Sequence, residues 1–210
     1  SVFAPLAVRL GAARLVAMAE RLGFNRRPPV PGAVASTLPP ARELATPLAV
    51  AATAIGQGRV LASALGMASV VQAVAADGVR AEPHITPAAP RRRRVLDGSV
   101  AASLRTMMRA VVTTGTGRRA ELPALGVAGK TGTAELSSRP PSDSTAPSVR
   151  DDPARLSAWF CGYAPLRRPV LAFCVLLVRQ GAGGDVAAPT AADFLRRALE
   201  LGWRPTEDSS

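Results

Sequence analysis

The chain has 210 residues, 48% of them apolar, and a formal net charge of +11. That length and apolar share give one domain, or most of one, a core of ordinary size, which excludes a disordered tail. The charge comes almost wholly from scattered arginines, and with Tyr163 the only tyrosine the stacking aromatics of a single-strand nucleic-acid binder are missing, so no nucleic acid is expected.

The first element is a helix over 1–23, with Ser1 as a cap, a break at Gly11 and a stop at Gly23; its apolar residues Leu15, Met18, Ala19 and Leu22 recur at helical spacing. Residues 25–40 are dense in proline and read as loop. A second helix is predicted over about 46–55, ending at Gly56-Gln57-Gly58, and a third over about 63–76, stopped by Asp77-Gly78. The stretch Val79 to Ile85 reads as extended. A Pro/Arg loop at 86–94 comes next, and its Arg91 to Arg94 run reads as a solvated charged surface. Asp97 or Ser99 then caps a helix to about Thr113, whose apolar positions Val100, Leu104, Met107, Met108, Val111 and Val112 keep the period.

The last ninety or so residues change character. Val127 to Glu135 is a candidate strand, and 136–153 reads as a long mobile loop rich in Ser, Pro and charge. Two apolar runs, 159–165 and 170–179, are joined by Leu166-Arg167-Arg168-Pro169 and make a hairpin. Gly181 to Gly184 turns the chain into a closing helix at about 186–201. There is no internal repeat. Helices first, then an antiparallel meander closed by a helix, predict an α+β fold with an antiparallel sheet flanked by helices. Cys161 and Cys174 fit no metal-ligand spacing; they either face each other across the hairpin or remain buried free thiols. The longest uncharged stretch, Val60 to Ala76, falls short of the ~18 apolar residues of a spanning helix.

Gly129-Lys130-Thr131-Gly132-Thr133-Ala134-Glu135 carries the sharpest chemical signal. A phosphate-binding loop needs glycine where Ala124 stands and a helix after the motif, but Ser- and Pro-rich loop occupies that place instead. A Ser-His-Asp triad would have to use His84, the only histidine, and no Gly-x-Ser-x-Gly elbow accompanies it. The candidate strand Val127 to Glu135 offers a second placement for the motif. Alternation then turns Lys130 and Gly132 to one face and Thr131 and Thr133 to the other.

The segment Val127 to Glu135 resembles the Lys-Thr-Gly strand of the penicillin-binding protein transpeptidases, and its Ala134-Glu135 ending resembles the monofunctional class B branch. Four other segments resemble that family in the same order: Ile55 to Gly58, Met108 to Gly117, Ala158 to Pro165, and Gly183-Gly184 with Ala187-Ala188-Pro189. The opening Ser1 to Ala7 resembles the segment just after the family's Ser-x-Asn motif. The resemblance implies a D,D-transpeptidase that cross-links peptidoglycan stem peptides ending in D-Ala-D-Ala, by an acyl-serine mechanism that β-lactams trap, with no cofactor and no metal. It implies an extracytoplasmic location, an anchor preceding this sequence and cell-wall synthesis partners.

Carried residue by residue, the resemblance makes Lys130 the source of positive charge beside the serine. Thr131 and Thr133 supply hydroxyls for the substrate carboxylate, Gly132 leaves room for substrate, and the Thr133 N–H is an oxyanion donor. The departures are specific. Lys130 is the only lysine, with Val127 three places before it, so Ser-x-x-Lys is absent; Asn25 is the only asparagine, with Gly23 two places before it, so Ser-x-Asn is absent too. Ser157 stands where many relatives carry histidine. The nucleophile helix and first strands are therefore expected upstream, and this piece alone is expected to be inactive. Thr116 and Gly117 read as a helix-terminal turn, Gly56 to Gly58 as architectural, and Trp159 and Tyr163 as packing residues. A non-catalytic relative, a D,D-carboxypeptidase and a β-lactamase share the same landmarks.

Overall fold

The computed structural model describes residues 2–136 and 152–203. The cap expected at Ser1 and residues 137–151 of the expected mobile loop lie outside them.

The helical part obeys its local signals. Helices α1 (Phe3–Leu10) and α2 (Ala12–Arg21) are separated at Gly11, whose φ of 87° breaks the helix there. Helix α3 (Pro47–Ala54) opens with Pro47, and the Thr46 hydroxyl accepts from the Ala49 N–H at 3.1 Å; Ser63 caps α4 (Ala64–Ala75) in the same way through Gly66. Asp97 is the N-cap residue of α5 (Gly98–Thr113), without a side-chain bond.

Between α4 and α5 the structure departs from the sequence-based expectation. Only Val79–Ala81 of the extended stretch is strand (β1), and it pairs antiparallel with Arg92–Arg94 (β2), which the charge run had marked as loop. The pairing uses backbone groups, so a strand of three exposed arginines forms without apolar alternation.

The main sheet has three antiparallel strands in the order β3-β4-β5: Ala128–Glu135, Leu156–Ala164 and Leu171–Val178. The hairpin is as expected, but β4 begins earlier than Trp159 because Leu156, Ser157 and Ala158 are buried and paired with β3. The closing helix α6 (Ala188–Glu200) is preceded by a π-type turn, Gly183–Ala187, where a single helix from about 186 was expected.

Helices cover both faces of this sheet. On one, Phe160 and Phe173 pack with Val112, Ala187, Ala191 and Leu195 of α5, the turn and α6. On the other, Ala128, Cys161 and Tyr163 meet Val71 of α4, with Met67 and Met108 alongside. Cys161 and Cys174, opposite each other on β4 and β5, are joined as a disulfide. A third cluster of Ala7, Val16, Leu38, Leu44 and Val50 holds α1, α2 and α3 together. Arg109 ties α5 to the entry of β3, donating to the Val127 carbonyl at 2.7 Å and to Glu121 at 2.5 Å.

Candidate active site

Strand β3 is a sheet edge: it pairs with β4 and with no other strand among the described residues. Every second residue of its backbone therefore offers N–H and C=O groups outward. The Gly-Lys-Thr-Gly-Thr motif lies wholly on this strand, which removes the phosphate-loop alternative, since that motif must open a helix.

Register separates the side chains. Lys130 shares a cross-strand row with Cys161, and Gly132 with Trp159, on the α4 side; Thr131 pairs with Phe160 and Thr133 with Ala158 on the α6 side. Lys130 is exposed, and its Nζ donates to the Thr131 carbonyl at 2.8 Å. Partial burial of the ammonium holds it below the ordinary lysine value. A Cβ at Gly132 would meet the Trp159 Cβ at 3.2 Å, so this glycine keeps the strand's α4-side surface low.

Both threonine hydroxyls are occupied by protein on one side. Thr133 Oγ1 accepts from the Gly183 N–H at 3.2 Å. Thr131 Oγ1 lies 2.6 Å from Thr116 Oγ1, a pair in which either hydroxyl can donate. When Thr116 donates, each β3 hydroxyl has an acceptor site filled by protein and its own proton left over. Two O–H donors on one strand face then suit a carboxylate, which accepts only. The turn beneath them is tight, because a Cβ on Gly183 would lie 2.3 Å from the Gly132 carbonyl oxygen and one on Gly184 2.5 Å from that of Thr116.

The four sequence-marked residues, Lys130, Thr131, Gly132 and Thr133, thus lie together on one edge strand, with the lysine and the hydroxyls on opposite faces. Thr116, read from sequence as turn geometry only, reaches this group. The only signal that could have found it is the Thr-Gly-Thr-Gly run ending α5, which says nothing of where that hydroxyl points. His84 is exposed in the connector between β1 and β2, and among the described residues no hydrogen bond or ion pair joins it to a serine or a carboxylate. Ser157 is buried on β4 opposite Ala134. Among the described residues no group of three or more His, Cys, Asp or Glu is placed to hold a metal, and no helix is long and apolar enough to cross a membrane.

Comparison with known proteins identifies the family. The family model described as penicillin binding protein transpeptidase domain matches residues 1–196. The chain is 30% identical over 222 residues to the peptidoglycan D,D-transpeptidase PbpA of Mycolicibacterium smegmatis, covering 96% of this chain and 42% of that protein. Among solved structures, the D,D-transpeptidase domain of a peptidoglycan glycosyltransferase from Eggerthella lenta superposes with a TM-score of 0.76 at 30% identity, covering 95% of this chain and 50% of that one. The imipenem acyl-enzyme complex of penicillin-binding protein A from M. tuberculosis gives 0.76 at 27% identity, over 94% and 44% of the two chains. This chain therefore spans less than half the length of the curated relative.

Proposed function

The chain belongs to the penicillin-binding protein transpeptidase family, and from that premise we propose that it forms the Lys-Thr-Gly-Thr wall of an acyl-serine D,D-transpeptidase site acting on peptidoglycan stem peptides. The observation that carries this reading is the state of the two β3 hydroxyls. Thr131 and Thr133 are backed by Thr116 and the Gly183 N–H, and with Thr116 as the donor both keep a proton for an anionic substrate terminus.

In this reading a stem peptide lies along the open edge of β3, adding backbone hydrogen bonds as a further strand would. Its terminal carboxylate accepts from the Thr131 and Thr133 hydroxyls. The Thr133 N–H points at the oxygen that becomes negative when the penultimate D-Ala carbonyl is attacked, which lowers the barrier by electrostatic stabilisation. Lys130 adds positive charge beside the nucleophile. The attacking serine belongs to a Ser-x-x-Lys motif that this sequence does not contain and would come from a preceding part of the protein. Serine attack releases the terminal D-Ala, and the acyl group then passes to an amine of a neighbouring strand. A β-lactam, which carries a carboxylate in the same position, would acylate the same serine. Such chemistry takes place outside the cytoplasmic membrane, where its polymer is.

The test is intact mass after incubation with benzylpenicillin, on this chain and on the protein extended upstream. One adduct on the extended form alone supports the proposal. No adduct on either makes the protein a non-catalytic relative, and an adduct on the 210-residue chain would place the nucleophile within it. In the extended protein Lys130→Ala should slow acylation by orders of magnitude; a near-normal rate would remove Lys130 from the chemistry.

A further inference from the structure

Away from the main sheet, three arginines gather where α2 ends. Arg80 and Arg93 stand directly opposite each other in the β1–β2 ribbon, a placement in which like charges destabilise an antiparallel pair. Arg26, on the loop after α2, is close enough to add its charge. Burial depresses the Arg80 guanidinium, Glu82 opposes this, and Arg93 and Arg26 depress it further. Arg93 has a partner of its own, donating to the Arg21 carbonyl at 3.0 Å, where the C-terminal end of a helix favours a cation. Arg80 has none: its Nε is buried and unpartnered, and it makes no ion pair among the described residues.

Gly23 makes the room for that side chain, since a Cβ there would lie 2.6 Å from an Arg80 terminal nitrogen. The guanidinium borders a recess lined by Leu22, Gly23, Phe24, Arg26, Ser36 and Arg80, about 10 Å³ in volume. That is room for one oxygen-sized atom. A buried donor without an acceptor is costly, and an oxyanion would relieve both this and the repulsion among the cations. Guanidinium forks bind carboxylate or phosphate. Arg26 and Arg80 line the recess and Arg93 stands opposite Arg80, so the three free oxygens of a phosphate offer an acceptor to each of the three cations, where a carboxylate offers only two.

We infer that Arg80, with Arg26 and Arg93, forms a binding site for a phosphate group, one oxygen of which enters the recess lined by Arg26 and Arg80. The group can come from inorganic phosphate or from the headgroup of an anionic phospholipid. The neighbouring Arg91, Arg92 and Arg94 are exposed and accessible to either source. The site is separate from β3 and independent of the transpeptidase reading.

The test uses the full-length protein. Calorimetric titration with inorganic phosphate at constant ionic strength is run on the wild type, Arg80→Gln, Arg26→Gln and the charge-matched control Arg167→Gln, an exposed hairpin residue. The expected result is saturable binding by the wild type and the control, weakened about tenfold or more in Arg80→Gln and less in Arg26→Gln. Thermal unfolding in chloride gives a second readout: Arg80→Gln should be as stable as the wild type or more so, because it removes an unpaired cation. Co-sedimentation with phosphatidylglycerol vesicles separates the sources. Loss of vesicle binding in Arg80→Gln alone assigns the site to a lipid headgroup, whereas phosphate binding with no Arg80-dependent sedimentation assigns it to free phosphate. Equal losses in Arg80→Gln and Arg167→Gln, no saturable phosphate binding, or marked destabilisation of Arg80→Gln in chloride would each overturn the inference.

Discussion

Replacing Gly183 by alanine should disturb stability and the candidate site together. The added Cβ would lie 2.3 Å from the Gly132 carbonyl oxygen, 2.4 Å from that of Trp159 and 3.0 Å from the Gly132 nitrogen. Ordinary carbon–oxygen contact is roughly 3.3 Å or more, so the turn must retreat by about 1 Å from two strands at once. Overpacking of this kind costs about 1–3 kcal/mol, and backbone on both sides places this case at the upper end. Retreat also stretches the 3.2 Å bond from the Gly183 N–H to Thr133 Oγ1, worth about 0.5–1.5 kcal/mol. The total is roughly 2–4 kcal/mol. For a domain of this size that lowers Tm by about 5–15 °C, measurable by circular dichroism on the full-length protein. Gly132→Ala provides the contrast, because its Cβ meets only the Trp159 side chain, nearest at 3.2 Å from that residue's Cβ, and should cost less than about 1 kcal/mol. A Gly183→Ala protein that melts within about 2 °C of wild type, a shift worth about 0.5–1 kcal/mol, would show that the turn is not held against β3 as described.

Thr116→Val keeps shape but removes the hydroxyl paired with Thr131; benzylpenicillin acylation of the full-length protein should slow about five- to tenfold, as expected for one hydrogen bond, and Thr116→Ser should restore it. An unchanged rate in Thr116→Val would confine that residue to turn geometry. Lys130 is the only lysine, so its side-chain carbon resonances give an unambiguous titration. Its depressed folded-state value means that the unfolded chain holds more protons in the window just below 10.5, so stability should rise with pH across that window and level off above it. A titration midpoint at or above 10.5 would contradict the partial burial of the ammonium. The Tyr163 hydroxyl is buried without a partner, so Tyr163→Phe should leave stability unchanged or raise it by up to about 1 kcal/mol; a loss larger than that in denaturant unfolding would mean that the hydroxyl is satisfied.

The features legible in the sequence are those whose cause is local. Thr46-Pro47, Ser63 and the Asp77-Gly78 stop bound their helices through bonds or dihedral angles within a few residues. The hairpin of β4 and β5 arises from two apolar runs and a short polar joint. Strand β2 was hidden because its three arginines carry no apolar signal, and its partner is set by the ribbon's own backbone bonds. The start of β4 was hidden for a related reason, since Ser157 and Ala158 become strand through burial beneath neighbouring elements and not through their own preference.

The site divides along the same line. Spacing alone puts Lys130, Thr131, Gly132 and Thr133 on alternating sides of one strand, and β3 has that geometry. What spacing does not contain is which acceptor sites of the hydroxyls are already filled. Thr116 reaches Thr131 because α5 ends against β3, and Gly183 reaches Thr133 because the turn into α6 passes under the sheet. Both contacts join segments distant along the chain, 15 and 50 residues apart. The two glycines that permit them, Gly183 and Gly184, look in sequence like an ordinary turn. Their role is steric: any side chain there would push the turn off the carbonyls of Gly132 and Thr116. With Thr116 as the donor, the threonines would then lose the partners that leave their protons free to donate. The donor character proposed for the site is thus a property of the packing between β3, the end of α5 and the turn before α6, and a variant that loosens this packing should lose carboxylate recognition while every motif residue remains in place.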